Sequence, residues 1–247
     1  MIKDQTFIFV YRKMKSAKSI NKKKIVRNVF DQVHDKYDLM NDIMSLGTHR
    51  LWKKELMNSL KNHKNKIILD MASGTGDIAK LLCKDQNFKK IYRIDPNHLM
   101  LKKGSASFSR YQNIEEICAL AENIPLKNST IDTYVISFGI RNTFDPMLAL
   151  REAYRITKKG GKFVCMEFFK VKKPLLKELY NTYSKIIPKI GEIVIGDKKP
   201  YEYLTQSIQK FYSQDEFKKM LEMNKFKNVN YVNLMGGIVS IHTAWKI

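Results

Sequence analysis

Apolar positions along the chain change their spacing twice. Ile25, Val26, Val29, Phe30 and Val33 recur every three or four residues, which predicts an amphipathic helix, and His49–Leu60 does the same with Leu51, Trp52, Leu56 and Leu60 on one face. From residue 66 short apolar runs at Lys66–Met71, Lys90–Asp95, Glu116–Ala119, Ile131–Phe138 and Lys162–Phe168 alternate with helical stretches at Asp77–Cys83, Asn97–Lys103 and Pro146–Thr157. That alternation predicts an α/β, doubly wound, mostly parallel sheet with crossover helices. The last third departs from it. Pro174–Tyr203, with Leu175, Leu176, Leu179 and Tyr183 at helical spacing, forms a helical insert suited to a lid or substrate wall. A capping-box pattern, Ser213-x-x-Glu216, then opens a helix. Asn230–Leu234 and Ile238–Ile247, separated by Met235-Gly236-Gly237, read as an antiparallel strand pair that closes the sheet.

Composition sets the scale of this fold. With 44% hydrophobic and 28% charged residues, the chain is apolar enough to bury a sizeable core. No repeat or Pro/Gly-rich linker divides it, so residues 25–247 read as one domain. Residues 1–24, with eight basic residues against Asp4 alone, form either an organelle-targeting extension or a solvated basic arm. No secretory signal is evident, and no apolar run reaches the roughly 18–20 residues of a membrane span.

A net charge of +21 raises the question of nucleic acid, but only eight of the 45 basic residues are Arg, the residue favoured for bidentate recognition of phosphate and guanine. A Lys-coated exterior, or attraction to an anionic membrane surface, accounts for the charge without nucleic acid. Cys83, Cys118 and Cys165 lie far apart and read as free, buried thiols in a reducing compartment. The five histidines show no metal-ligand spacing, so no metal is expected.

Candidate chemistry concentrates after the first strand. Asp70 ends that strand, and Ser73-Gly74-Thr75-Gly76 turns into a helix at Asp77; Gly74 and Gly76 permit the sharp backbone turns and close ligand approach that open α/β sheets use at strand ends. The second strand ends in Asp95, placed to accept hydrogen bonds from a ribose. A dinucleotide-binding loop has a similar layout, with Ala79 at its third glycine position. Two flanking carboxylates suit a pyrophosphate poorly and suit the amino group and sulfonium of S-adenosylmethionine better.

Val29-Phe30-Asp31, Lys36 through Asp42, Met44-Ser45 and His49-Arg50-Leu51-Trp52-Lys53 resemble an N-terminal signature of the class I methyltransferases, and more narrowly of the C-methyltransferases of ubiquinone and menaquinone biosynthesis. Ile136 through Asn142, Tyr183-Ser184, Tyr203-Leu204 with Ser207-Ile208, and Gly236-Gly237-Ile238-Val239 resemble further motifs of the same family, in the same order. The resemblance spans about residues 25–247. It implies a Rossmann-like, seven-stranded fold, with Asp70, Gly74, Thr75, Gly76, Asp95, Ala121 and Ser137 at the cofactor S-adenosylmethionine. Family members usually carry a polar residue, often Asn or Asp, where this chain has Leu120; the adenine amino group then lacks its side-chain partner, and the Ala121 N–H is left to reach the ring.

The implied reaction moves a methyl group to a ring carbon of a polyprenylated benzoquinol in ubiquinone biosynthesis, or of demethylmenaquinol in menaquinone biosynthesis. Such a carbon becomes nucleophilic when a neighbouring phenol loses its proton. Arg141, beyond the fourth strand, is expected to face the cofactor's methyl and stabilise phenolate charge, but is too basic to be a conventional base. Asn142 is expected to hold a water or substrate oxygen. Tyr37, Asp38 and His49 are candidates to line the site, or, respectively, a core aromatic, a helix cap and a packing residue.

An insoluble polyprenyl tail implies a peripheral membrane surface as partner, contacted by the basic arm, Lys170–Lys177 and the apolar insert. Other quinone-biosynthesis proteins or a second copy of the chain are further candidate partners. The C-terminal ending resembles the mitochondrial and related bacterial branch, which implies the matrix side of the mitochondrial inner membrane or a membrane-associated place in a bacterial cytoplasm. Two readings from other classes are a nucleic-acid methyltransferase or binder, marked by an Arg-containing basic groove, and a scaffold subunit of a quinone-synthesis complex.

Overall fold

A computed structural model describes residues 42, 45, 47–60, 66–85, 88–171, 178, 183, 186–189, 191–193 and 196–247. The arm over 1–24, the helix expected over 25–33, Tyr37, Asp38, and Leu175, Leu176 and Leu179 of the insert lie outside the described residues.

The described chain runs α1 (His49–Ser59), β1 (Lys66–Met71), α2 (Asp77–Asp85), β2 (Phe88–Asp95), α3 (His98–Ser105), β3 (Ile114–Cys118), β4 (Ile131–Ser137), α4 (Pro146–Ile156), β5 (Thr157–Phe168), α5 (Lys199–Lys210), α6 (Gln214–Met223), β6 (Lys227–Leu234) and β7 (Val239–Trp245). The seven strands form one sheet in the order β3-β2-β1-β4-β5-β7-β6. β1 pairs in parallel with β2 and β4, and β4 with β5, while β7 is antiparallel to both β5 and β6. The strand pair closes the sheet as its pattern predicts, with the later strand inside. β7 is almost wholly buried, whereas β6 exposes Lys227, Asn228, Asn230, Val232 and Asn233, so the more apolar strand occupies the sheltered position.

Both faces of the sheet are covered. Along β4, Tyr134 and Ile136 enter one core with α4 and α6, and Val135 enters the other with Trp52, Leu56 and Leu82. This two-sided burial explains the unbroken apolar runs of the central strands. The helix starts are fixed locally: Asn97 accepts from the Leu99 and Met100 amides, Asp145 from Met147 and Leu148, and Ser213 with Glu216 forms the capping box.

Three sequence expectations are corrected. β5 begins at Thr157, not Lys162, because the Gly160 amide donates to Lys246 O at 2.6 Å and the Lys246 amide to Gly161 O at 3.0 Å; pairing beyond β7 keeps the double glycine in the sheet. β3 runs Ile114–Cys118, starting two residues before Glu116, and Ala119 follows it with its amide still donating to Asp95 O at 3.3 Å. Cys83 and Cys165 are buried, but Cys118 is exposed, since β3 is an edge strand with little packed over it.

Candidate active site

β1, β2 and β4 end side by side at Met71, Asp95 and Ser137, and the strand order reverses between β1 and β4. Chains leaving a sheet at such a point diverge and open a crevice. Here it is a cavity of about 390 Å³, walled by Gly74 from the first turn, Asp95 and Asn97 from the second, Leu120 and Ala121 after β3, and Ser137 through Gly139 with Asn142 after β4. Among the described residues its wall carries two acidic side chains, Asp95 and Glu122, and no lysine or arginine.

The first turn is held from several sides. Ala72, Gly74 and Gly76 all have positive φ, and the Ser73 amide donates to Ile94 O at 3.1 Å. Asp95 accepts the Gly74 amide at 2.8 Å on one carboxylate oxygen and the Asn97 amide at 2.7 Å on the other. Burial pushes the Asp95 carboxyl up to about 6, against these two bonds. Each carboxylate oxygen keeps a further lone pair for a ligand hydroxyl at the cavity surface.

Behind the turn lies Arg93, fully buried and absent from the sequence-level candidates. Its guanidinium donates to Ser73 Oγ at 3.3 Å, to Gly74 O at 3.1 Å and to Glu116, and it stacks 4.0 Å from the Phe108 ring centre. A Cβ on Gly76 would lie 2.6 Å from that ring, so this glycine is required by packing as well as by its φ. An Arg in the middle of a strand carries no distinguishing sequence pattern; only burial reveals it.

A smaller recess, sharing Gly74, Ser137 and Phe138 with the main cavity, is lined by His49, Lys53, Asp70 and Asp77. Asp70 is buried; its Oδ2 accepts from the Ser73 hydroxyl at 2.9 Å and the Ala79 amide at 3.2 Å, and burial pushes its carboxyl up to about 7. Asp77 pairs with Lys53 Nζ at 2.6 Å. The two carboxylates expected to flank the turn with negative charge are thus partly neutralised, one by desolvation and one by a lysine from α1. His49 Nδ1 lies 2.9 Å from Ser45 Oγ and 3.6 Å from Asp42; burial, then Lys53, lowers its pKa.

The turn after β4 forms the remaining wall. Phe138 adopts φ 54°, rare for a bulky residue, and its ring packs 6.2 Å from Trp52 and 4.8 Å from Phe168. Gly139 permits this approach, since a Cβ there would overlap that of Ala72. Glu122 accepts the Phe144 amide at 2.6 Å and so ties the segment after β3 to the start of α4.

Arg141 is buried and is not among the cavity-lining residues. It turns behind the wall, where its Nε donates to Glu167 on β5 at 3.4 Å and its Nη1 donates to Ser207 on α5 and to Asn142 Oδ1 at 3.4 Å. Burial raises the pKa of Glu167 while the Arg141 charge lowers it; a buried Arg beside a carboxylate recruits it as its counter-ion, which a sequence reading of the turn alone does not anticipate. Gly74, Asp95, Ala121, Ser137 and Asn142 therefore meet in the main cavity, Asp70 and His49 meet at the recess, and Thr75, Gly76 and Arg141 stand outside the main wall. Among the described residues no cluster of three His, Cys, Asp or Glu is placed to hold a metal ion.

Solved structures share this architecture. A methyltransferase from Thermotoga maritima, described as a possible histamine N-methyltransferase, superposes with a TM-score of 0.64 at 18% identity, over 90% of this chain and 100% of its own. A SAM-dependent methyltransferase from Aquifex aeolicus gives 0.58 at 18% identity, over 79% and 89%. Sheet order and these superpositions define the class I methyltransferase fold. Residues 15–246 match the family model of the ubiE/COQ5 methyltransferase family, and the chain belongs to that family. The ubiquinone/menaquinone biosynthesis C-methyltransferase of Rickettsia prowazekii is 50% identical over 231 residues, 90% of this chain and 93% of that protein. Its counterpart from Rickettsia bellii is 47% identical over 241 residues, 94% and 97%. No described helix is long and apolar enough to cross a membrane.

Proposed function

We propose that this enzyme transfers the methyl group of S-adenosylmethionine to a ring carbon of a polyprenylated 1,4-benzoquinol in ubiquinone biosynthesis. The observation that carries the reading is the cavity wall, which combines the Asp95 carboxylate and the Asn142 amide with a largely apolar surface. Half-identity to a ubiquinone/menaquinone C-methyltransferase over nearly its whole length supports the ring substrate, and the same likeness covers demethylmenaquinol. An acidic and apolar wall is the opposite of what a nucleic-acid phosphate backbone needs.

The residues present fit the cofactor. The Asp95 carboxylate, fixed by two backbone amides, accepts from the ribose hydroxyls; the Ala121 N–H serves the adenine edge; Gly74 and Ser137 bound the space between, with Thr75 and Gly76 shaping the turn. Asp70 and His49, at the recess, serve the methionine end. When bound, S-adenosylmethionine supplies an electrophilic methyl on a sulfonium.

The chain's part is to hold the quinol ring and favour its phenolate. Charge on the phenolate oxygen flows into the ring, and the ring carbon bonds the methyl as the sulfur–carbon bond breaks and its electron pair stays on sulfur as the neutral thioether. That carbon's proton then passes to water, which restores the aromatic ring. Asn142 contacts the ring oxygen, and Arg141 acts from behind it.

The enzyme works as a peripheral protein on an anionic membrane surface that supplies the tailed substrate. Rickettsial relatives favour the bacterial cytoplasmic setting over the mitochondrial matrix face. Incubation with S-adenosylmethionine and reduced demethylated benzoquinols or naphthoquinols, read by mass spectrometry, tests the reading. Gain of one methyl on the benzoquinol is expected, and product from neither ring overturns the function.

A further inference from the structure

The Tyr203–Ser207 pair on α5 belongs to a motif that the cofactor site does not use. The two residues are one helical turn apart, share a face, and meet the turn after β4. The Tyr203 hydroxyl donates to Asn142 Oδ1 at 3.0 Å, and Arg141 Nη1 donates to the same oxygen at 3.4 Å while also contacting Ser207.

These contacts fix which way the Asn142 amide faces. A guanidinium can only donate, so the atom turned toward Arg141 must be the amide oxygen. Burial, opposed by the Arg141 charge, raises the Tyr203 pKa and keeps its hydroxyl protonated as a donor. Nδ2 then lies on the other side, where one of its hydrogens goes to Phe138 O at 3.4 Å. The second has no partner among the described residues, and Asn142 lines the cavity.

The geometry points to Tyr203 as a positioning residue for methyl transfer: it holds the Asn142 amide with Nδ2 turned into the cavity, where the free N–H donates to the substrate's ring oxygen as negative charge builds on it. This rests on the quinol reading above. The chain of donors from the Glu167-held Arg141 through Asn142 polarises the amide, so its outward N–H is stronger than that of an isolated side chain. Tyr203 and Arg141 act through Asn142 and touch no reacting atom. α5 follows the insert in sequence, so this contact also links the segment beyond the insert to the chemistry.

A double-mutant cycle on the full chain tests this. Tyr203→Phe removes one oxygen and keeps the ring packed. It is expected to lower kcat about tenfold, with the dissociation constant for S-adenosylmethionine and the melting temperature at wild-type values, because a donor aimed at developing charge acts mainly in the transition state. Asn142→Ala is expected to lower kcat about 100-fold, and Tyr203→Phe added to it to cost nothing more. Wild-type kcat in Tyr203→Phe, or a double variant whose loss is the product of the two single losses, overturns the positioning role. A wild-type enzyme that methylates no quinol overturns the quinol reading and this inference together, whereas wild-type turnover beside an unaffected Tyr203→Phe overturns the inference alone.

Discussion

Asp95 Oδ2 accepts the Gly74 amide at 2.8 Å, so the end of β2 holds the turn that follows β1. The other oxygen accepts the Asn97 amide at 2.7 Å, which makes the carboxylate a two-sided acceptor. An amide side chain cannot replace it, because its NH2 must face one of the two N–H groups. Asp95→Asn is therefore expected to weaken S-adenosylmethionine binding at least tenfold and to lower the melting temperature, a loss of about 1.5–3 kcal/mol for a charge-assisted bond. Calorimetric titration decides it; wild-type affinity in this near-isosteric variant counts against the two-sided role.

Arg93 supports the same turn from behind. Arg93→Met keeps much of the volume but leaves Gly74 O and Glu116 without their guanidinium. A loss of about 2–4 kcal/mol in unfolding free energy is expected, together with weaker cofactor binding. Gly76→Ala should destabilise through positive φ and through clashes with the Phe108 ring and Arg93 Nε, and trimming Phe108 to Leu should relieve only the ring's share, leaving the costs of Arg93 and φ. Denaturant melts of the single and double variants separate the ring's share from the rest.

Leu120 lines the cavity with an apolar side chain, at the position where the family resemblance implies a polar partner for the adenine amino group. Leu120→Asn is expected to tighten S-adenosylmethionine binding two- to tenfold, the worth of about one net hydrogen bond. S-adenosylhomocysteine, which carries the same adenine, should gain equally; tightening of one ligand but not the other would mean that the new side chain acts elsewhere.

Burial pushes the Asp70 carboxyl up to about 7, with the Ser73 bond and the Arg93 charge opposing it. The unfolded chain loses that proton near pH ~3.9. Between about pH 4 and pH 7 the folded protein therefore holds a proton that the unfolded chain has released, and stability falls as pH rises through this window. Asp95, pushed up to about 6, acts in the same sense, whereas His242, which burial lowers to about 4, gains stability as pH rises toward ~6.5. Asp70→Asn removes one contribution, so its melting temperature relative to wild type should climb from about pH 4 to about pH 7 and level off above. A flat difference would show that Asp70 keeps an ordinary pKa.

Anionic vesicles should sediment the protein at low salt and release it at high salt, as expected for lysine attraction of about 1 kcal/mol per residue near the surface. Neutral vesicles should not. Absence of pelleting on anionic lipid at low salt rules out the proposed membrane docking.

The sequence alone determined the alternation of strands and helices, the capping box at Ser213, and the Gly74–Gly76 turn, because each rests on spacing or backbone chemistry within a few residues. Asp95 was legible for the same reason, as the last residue of its strand. Which strand of the C-terminal pair lies inside, where β5 begins, and what surrounds the turns depended on contacts between distant segments. Arg93 reaches Gly74 across 19 positions and Arg141 reaches Ser207 across 66, and no local pattern encodes either. That is why Arg141 reads from the sequence as a residue facing the cofactor: its position beyond β4 is local, but the direction of its guanidinium is set by Glu167 and α5, the nearest places where a buried charge can be satisfied.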